Sequence, residues 1–379
     1  MGLFNKRKEP NNATATSGGA VSPKQRSVAQ PYSMSTKPSF GQWLKLTWLD
    51  ILTMAIFGAI GLGVYMAHPA PNRSFAVTFS DREVVYPEFA YPLRKEIVPI
   101  WAAALLAALV PIVVILFMQI RIRSFWDVNN GIIGLLYSLI GAAVFQVFVK
   151  WLIGGLRPHF LDVCKPDISL ATSQAARKGY NAAGFNSIYF TREICTGDIN
   201  EIDDSLESMP SGHTTAAFAG FVYLYLYLNA KMKVFANYHP AMWKLIALYA
   251  PILGAVLIGG ALTIDEYHNW YDVFAGAAIG TVFAFSAYRM VYCAIWDFRF
   301  NHIPLNRGQP ALFNDGMELS HAVWTRKVGW GVDHGMGGKH GHGHGHSGAG
   351  NGYDTGYGAG PGTGVPRRPV GSNGADHMV

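Results

Sequence analysis

The sequence predicts an all-α membrane protein, a polytopic helical bundle of about six transmembrane helices between two disordered tails. Three observations predict it. Half of the 379 residues are hydrophobic and only 14% are charged, whereas a soluble domain carries nearer a quarter charged residues. Both ends are polar, while the stretch from Leu44 to Ile295 is strongly apolar. Within that stretch several apolar runs reach the length of about 18 residues with few charges that marks a bilayer span.

Residues 1–40 are rich in Ser, Thr, Asn, Pro and Lys with no apolar period. Such a segment buries too little surface to offset its ordering entropy and reads as a disordered cytoplasmic tail. It lacks the short apolar core of a cleaved signal peptide. The membrane domain then occupies 41–300. Its spans run from about Leu44 to Ala67, Ile97 to Ile120, Gly131 to Leu152, Ser211 to Asn229, Lys244 to Leu262, and Trp270 to Ile295. The polar stretch 157–210 between the third and fourth spans far exceeds an ordinary connection. Residues 301–379 form a second disordered cytoplasmic tail dominated by glycine and histidine. Its alternating His340, His342, His344 and His346 have a composition that can bind metal. A solvated tail explains them as well, so no metal site is assigned.

The net charge of +6 is explained by topology rather than by a nucleic-acid partner. Arg121 and Arg123 follow the second span, and Lys231, Lys233 and Lys244 surround the fourth connector. Basic residues gather in cytoplasmic loops, and no aromatic-interleaved basic groove is present in the sequence. Segments 68–95, 157–210 and 263–269 then face the lumenal or extracellular side, although Arg73, Arg82, Arg94 and Lys95 lie among them. The Asn72-Arg73-Ser74 sequon falls there, making Asn72 a glycosylation candidate. Cys164 and Cys195 share the long outer segment, either as a disulfide or as two unpaired thiols. Cys293 sits apart near the cytoplasmic end of the sixth span.

Three segments carry chemistry. Lys150 and Arg157 are seven residues apart, which on a continuous helix puts them on one face, two turns apart. Two cations at the end of an apolar span are costly. Snorkelling to headgroups is one account; holding one small anion, as a point charge and a fork suit phosphate, is the other. Next comes Met209-Pro210-Ser211-Gly212-His213-Thr214-Thr215. Proline suits a first helical turn and Ser211 a cap. The free N–H groups there attract an anion, and Gly212 lets it approach. His213 would stand beside it as a proton donor. The third segment, Asp265 to Asp272, places His268 and Asp272 four apart. A carboxylate on one ring nitrogen leaves the other as a nucleophile. Each segment alone is equally well a capped helix or a satisfied pair. All three, however, fall at the outer ends of the third, fourth and sixth spans. Cations, N–H donors, an acid and an oriented imidazole at one depth are what phosphoryl transfer needs.

Lys150…Arg157-Pro158, Pro210-Ser211-Gly212-His213 and His268…Asp272, in this order, resemble the type 2 phosphatidic acid phosphatase, or lipid phosphate phosphatase, family, which shares a superfamily with vanadium haloperoxidases. The stretch from Gly155 to Asp167 is similar to the eukaryotic lipid-acting branch, diacylglycerol pyrophosphate phosphatases included, and Tyr91-Pro-Leu with Val98-Pro-Ile-Trp101 is similar to the start of its second span. The resemblance covers roughly 40–300. It implies a phosphate held by Lys150, Arg157, Ser211 and Gly212, with His213 as the acid, His268 as the nucleophile and Asp272 orienting it. It implies a phospholipid substrate in an endomembrane or the plasma membrane, with no cofactor or metal, and no protein partner is indicated. There is one departure. The family's third segment opens on Ser-Arg, where this chain has Ala261-Leu262. Arg192, Arg94 and Lys95 are candidate replacements for that cation; a non-catalytic, phospholipid-binding relative is the alternative. A transporter or channel would place charges near mid-span rather than at span ends.

Overall fold

A computed structural model describes residues 37–67, 74–78, 82–171, 189–305 and 307. Asn72, the histidine-rich stretch and nearly all of both tails lie outside the described residues. Six long helices follow the six apolar runs: α1 (Phe40–Tyr65), α2 (Ile100–Ile122), α3 (Phe125–Ile153), α6 (Gly212–Met232), α7 (Met242–Ile264) and α8 (Trp270–Val291). Two short helices, α4 (Phe160–Cys164) and α5 (Ile199–Ser205), lie in the long outer segment. Five of the long helices, all but α6, are long and apolar enough to cross a bilayer. At about 1.5 Å per residue, each exceeds the roughly 30 Å of a hydrocarbon core. The protein is therefore an all-α polytopic membrane bundle.

Helix α6 differs because its surroundings differ. Fifteen of the 21 residues of α6 are buried, and it packs against α2, α3, α7 and α8. A helix enclosed by protein can carry His213, Thr214, Thr215 and Asn229 on buried positions, because neighbouring helices supply the partners lipid cannot. By contrast α1 and α2 expose large apolar side chains such as Trp48, Ile56, Leu109 and Phe117. These face the hydrocarbon.

Close approach of α8 to α6 sets the depth of the site. The buried face of α8 includes Gly276, Gly280, Ala284 and Ala287. A Cβ on Gly280 would lie 2.5 Å from the Thr215 carbonyl oxygen, so only glycine permits this spacing, as small residues do at membrane helix contacts. Two of the boundaries that shift from expectation have a clear hydrogen-bonded cause. Helix α3 starts at Phe125, six residues before Gly131, because Ser124 caps it by accepting from the Asp127 N–H at 3.3 Å. Helix α8 stops at Val291, before Ile295, because the chain turns back and the Cys293 N–H donates to the Ile303 carbonyl at 3.0 Å.

The outer layer is small and cross-linked. Strand β1 (Phe75–Ala76) pairs antiparallel with β2 (Tyr189–Phe190). Phe75, Phe160, Val163, Ile194 and Ile202 form its apolar core. The Cys164 and Cys195 sulfurs are joined within it, at 2.03 Å.

Candidate active site

Helix α3 ends at Ile153, and the next two residues decide where Arg157 goes. Gly154 and Gly155 take φ of +51° and +113°, a region glycine enters without a Cβ penalty. The chain leaves the helix there and pairs with the segment before α6. The Gly155 N–H donates to the Leu206 carbonyl at 2.9 Å, and the Arg157 N–H to that of Ser205 at 2.9 Å. In return the Ser208 and Met209 N–H groups donate to the Gly155 and Gly154 carbonyls, each at 3.1 Å. Lys150 and Arg157 therefore do not share a helical face, as their spacing predicts. Instead, a glycine turn and a short backbone ladder bring the first and second segments together.

Both cations are buried. Arg157 donates through Nη2 to Asp204 Oδ1 at 2.7 Å, and its guanidinium lies 5.4 Å from the Tyr267 ring centroid. Its Nε is buried without a hydrogen bond among the described residues. A cation held by one carboxylate and one aromatic face retains donors for an anion.

Ser211 caps α6, with its Oγ accepting from the Thr214 N–H at 3.4 Å. Pro210 precedes this cap rather than occupying the first turn, and its carbonyl accepts from Gln146 Nε2 at 2.9 Å. The Ser211 N–H donates to the Asp272 carbonyl at 3.1 Å, tying the second segment to the third. A Cβ added at Gly212 would make ordinary van der Waals contact with Gln146 and Ile100 at 3.7 Å.

His268 precedes α8, whose cap is Asn269, and Asp272 sits three residues into the capping box. The pair meets, although His268 lies outside the helix: its Nδ1 is 3.5 Å from Asp272 Oδ2. Asp272 Oδ2 also accepts from Ser208 Oγ at 2.5 Å and from the Asn269 N–H at 3.0 Å. Burial holds the His268 imidazole well below its ordinary value, because desolvation disfavours the cation. A neutral ring is what a nucleophile requires. Across the site the His213 and His268 ring centroids are 6.4 Å apart, the planes inclined at 71°. Lys150, Arg157, Ser211, Gly212, His213, His268 and Asp272 are thus brought to one end of the bundle.

Several partners at this end have no sequence signal as distinct as the motifs. Asp204 comes from the acidic run of α5, Ser208 stands two residues before Pro210, and Tyr267 precedes the nucleophile candidate. The position that the resemblance assigns to arginine holds Leu262, fully buried, whose carbonyl accepts the Tyr267 and His268 N–H groups at 3.1 Å each. Two of the three candidate replacement cations have other partners. Arg94 Nε lies 3.2 Å from Glu266, and Arg192 Nη2 lies 2.6 Å from Asp203; Lys95 forms no ion pair among the described residues.

Residues 131–296 match the PAP2 superfamily. A PA-phosphatase related-family protein of Dictyostelium discoideum is 31% identical over 266 residues, covering 68% of this chain and 72% of that protein. Lipid phosphate phosphatase 1 of Arabidopsis thaliana is 35% identical over 206 residues, 54% of this chain and 58% of the plant protein. Diacylglycerol pyrophosphate phosphatase 1 of Saccharomyces cerevisiae is 30% identical over 200 residues, 52% and 62% of the two chains. With these last two the match spans less than two thirds of the relative. No solved structure matches.

Proposed function

Since this chain belongs to the PAP2 superfamily, we propose that it is a phosphatase that removes phosphate from phospholipid monoesters such as phosphatidate or diacylglycerol pyrophosphate. The observation that carries this reading is the pair of histidines facing each other across 6.4 Å. An attacking nitrogen needs phosphorus within about 3–3.5 Å, and the leaving oxygen must depart on the opposite side. In this reading the phosphoryl group sits between the two rings, with His268 on the attacking side and His213 on the leaving side.

His268 attacks phosphorus with the ring nitrogen remote from Asp272, and the P–O bond to the lipid breaks. His213 gives its proton to the departing oxygen, which leaves as the lipid alcohol. Water then attacks the phosphohistidine with His213 taking a proton from it, and inorganic phosphate departs. Lys150 and Arg157 hold the phosphoryl oxygens, with the Ser211 hydroxyl and the Gly212 N–H beside them. Two buried cations supply the positive charge that a metal provides elsewhere, which supports a metal-independent reaction. The lumenal or extracellular side is supported by the disulfide in the layer over the site and by Arg121, Arg123, Lys231 and Lys233 at the other end of the bundle. Apolar exteriors on α1 and α2 keep the acyl chains in the bilayer while the headgroup enters.

The test is phosphate release from phosphatidate and diacylglycerol pyrophosphate in detergent micelles with chelator present, wild type against His268→Ala. Release that survives the chelator and disappears in the variant is expected. Folded, lipid-binding protein that releases nothing would mean that Leu262 in place of an arginine marks a binding protein. Activity retained by His268→Ala would overturn the phosphohistidine.

A further inference from the structure

We propose that Glu96, which no motif includes, is the positioning residue of His213: the two side chains hold between them the one proton that the leaving alcohol takes up. This inference rests on the phosphatase reading of the site.

The observation is a buried nitrogen with one acidic neighbour. His213 Nε2 is buried without a hydrogen bond among the described residues, and Glu96 Oε1 lies 3.8 Å from it. The separation is just beyond hydrogen-bond range, and less than 1 Å of side-chain movement closes it. Glu96 is not a passing surface residue, because the strap that carries it is fastened to two site segments. The Tyr91 N–H donates to the Pro158 carbonyl at 3.1 Å and the Leu93 N–H to Asp162 Oδ2 at 2.9 Å. On the other side, the Ile97 N–H donates to Asp265 Oδ2 at 3.1 Å, and Arg94 pairs with Glu266. The backbone on both sides of Glu96 is therefore held by the Arg157-Pro158-His159 turn and by the loop that bears His268. At its other end the strap feeds into α2. The Glu96 side chain retains 23% exposure against 7% for His213.

The electrostatics call for such a group. The cations Lys150, on α3, and Arg157, on the turn after it, act on His213 from one side. Glu96 faces His213 from the strap, and the field around Glu96 includes Arg157, Asp204 from α5, Asp265 and Tyr267 from the loop before α8. Desolvation holds the Glu96 carboxyl above its ordinary value, with Arg157 pulling the other way. A carboxyl group made more basic, 3.8 Å from a buried imidazole nitrogen, is an arrangement in which one proton serves both. As the P–O bond breaks, its electron pair leaves with the alcohol oxygen, and the shared proton moves onto that oxygen from Nε2. The water that opens the phosphohistidine returns a proton to the pair, so the cycle balances.

The experiment is Glu96→Gln, with kcat measured across pH on phosphatidate and on an aryl phosphate, whose leaving group needs little protonation. Phosphatidate turnover should fall by at least about tenfold, as loss of acid catalysis predicts. The alkyl-to-aryl rate ratio should fall with it, and the alkaline limb should move to lower pH because the anion that retains the proton is gone. Glu96→Asp should restore part of the ratio. An equal loss on both substrates with an unmoved limb would mean a structural role and would overturn the proposal, as would a variant that matches wild type. If the wild type released no phosphate from any substrate, the phosphatase reading would fail on its own. Inorganic phosphate binding across pH, wild type against Glu96→Gln, would then still decide the pairing: an unshifted profile overturns it.

Discussion

The two ends of one helical bundle treat buried charge in opposite ways. At the end formed by the starts of α3 and the finishes of α6 and α8, Asp127 is buried and completely engaged. It accepts from Gln119 at 2.9 Å, Tyr227 at 2.8 Å and Tyr292 at 3.1 Å, and Lys231 completes the set. Lys233 is held in the same way by Asn301, His302 and the Phe298 carbonyl. At the opposite end, Arg157 Nε, His213 Nε2, His268 Nδ1 and Asp272 Oδ1 are buried without hydrogen bonds among the described residues. Buried polar groups are normally satisfied, and the exceptions cluster where a ligand or chemistry is served. One end uses its charges to lock helices together. The other leaves donors and acceptors without hydrogen-bond partners among the described residues.

This contrast breaks most sharply at His268. His268→Ala should lower phosphate release by at least about 10³-fold, the scale of losing a nucleophile, while thermal unfolding stays near that of wild type. A comparable loss of folded protein would mean that His268 is structural and that the two ends do not differ in kind. The mirror experiment is Asp127→Ala. Removing one partner of a buried pair costs about 3–5 kcal/mol, so thermal stability should drop steeply while kcat per folded molecule is maintained. A selective loss of kcat would show that the locked end also serves the reaction.

Ser208→Ala is an intermediate case, because Ser208 supports the site without being placed against the phosphate. It removes one of the donors to Asp272, at a cost of about 1–3 kcal/mol for the oxygen left short. Activity should fall more than stability does if Asp272 acts as proposed and orients His268; equal kcat in the two proteins would detach Ser208 from the site. The smallest effect concerns pH. Burial holds His268 below its ordinary value near 6.5, so below that pH the unfolded chain binds a proton that the native site resists. Stability from this group is present above pH 6.5 and is lost as pH falls through and below it. The acid-side slope of Tm against pH should therefore be shallower in His268→Asn, and an unchanged slope would contradict the burial of a neutral ring.

Much of the site was legible because its residue types are rare in apolar surroundings. Lys150, Arg157, His213, His268 and Asp272 each interrupt or border an apolar run, and a charge there must have a reason. The mode of convergence was not legible. The seven-residue spacing of Lys150 and Arg157 suggested a shared helical face, but Gly154 ends the helix between them and the ladder to 205–209 does the work. Nor did the spacing reveal Glu96, which comes within 3.8 Å of His213 because the strap is fastened at both ends, with 116 residues of chain between the two. The missing third-segment arginine was visible as Leu262, but that two of its candidate replacements, Arg94 and Arg192, pair with Glu266 and Asp203 was not.

The sequence by itself determined the membrane class, the six helical runs and the candidate residues for binding and transferring a phosphoryl group. Those follow from composition and local period, which are properties of short stretches of chain. Only the tertiary structure decided which of these residues meet, which buried charges are satisfied and which are not, and that a carboxylate stands opposite His213. Hydrogen bonds and ion pairs between distant segments depend on distances of a few ångströms. Those distances arise from helix packing at Gly276 and Gly280 and from turns at Gly154 and Gly155, and no local pattern encodes them.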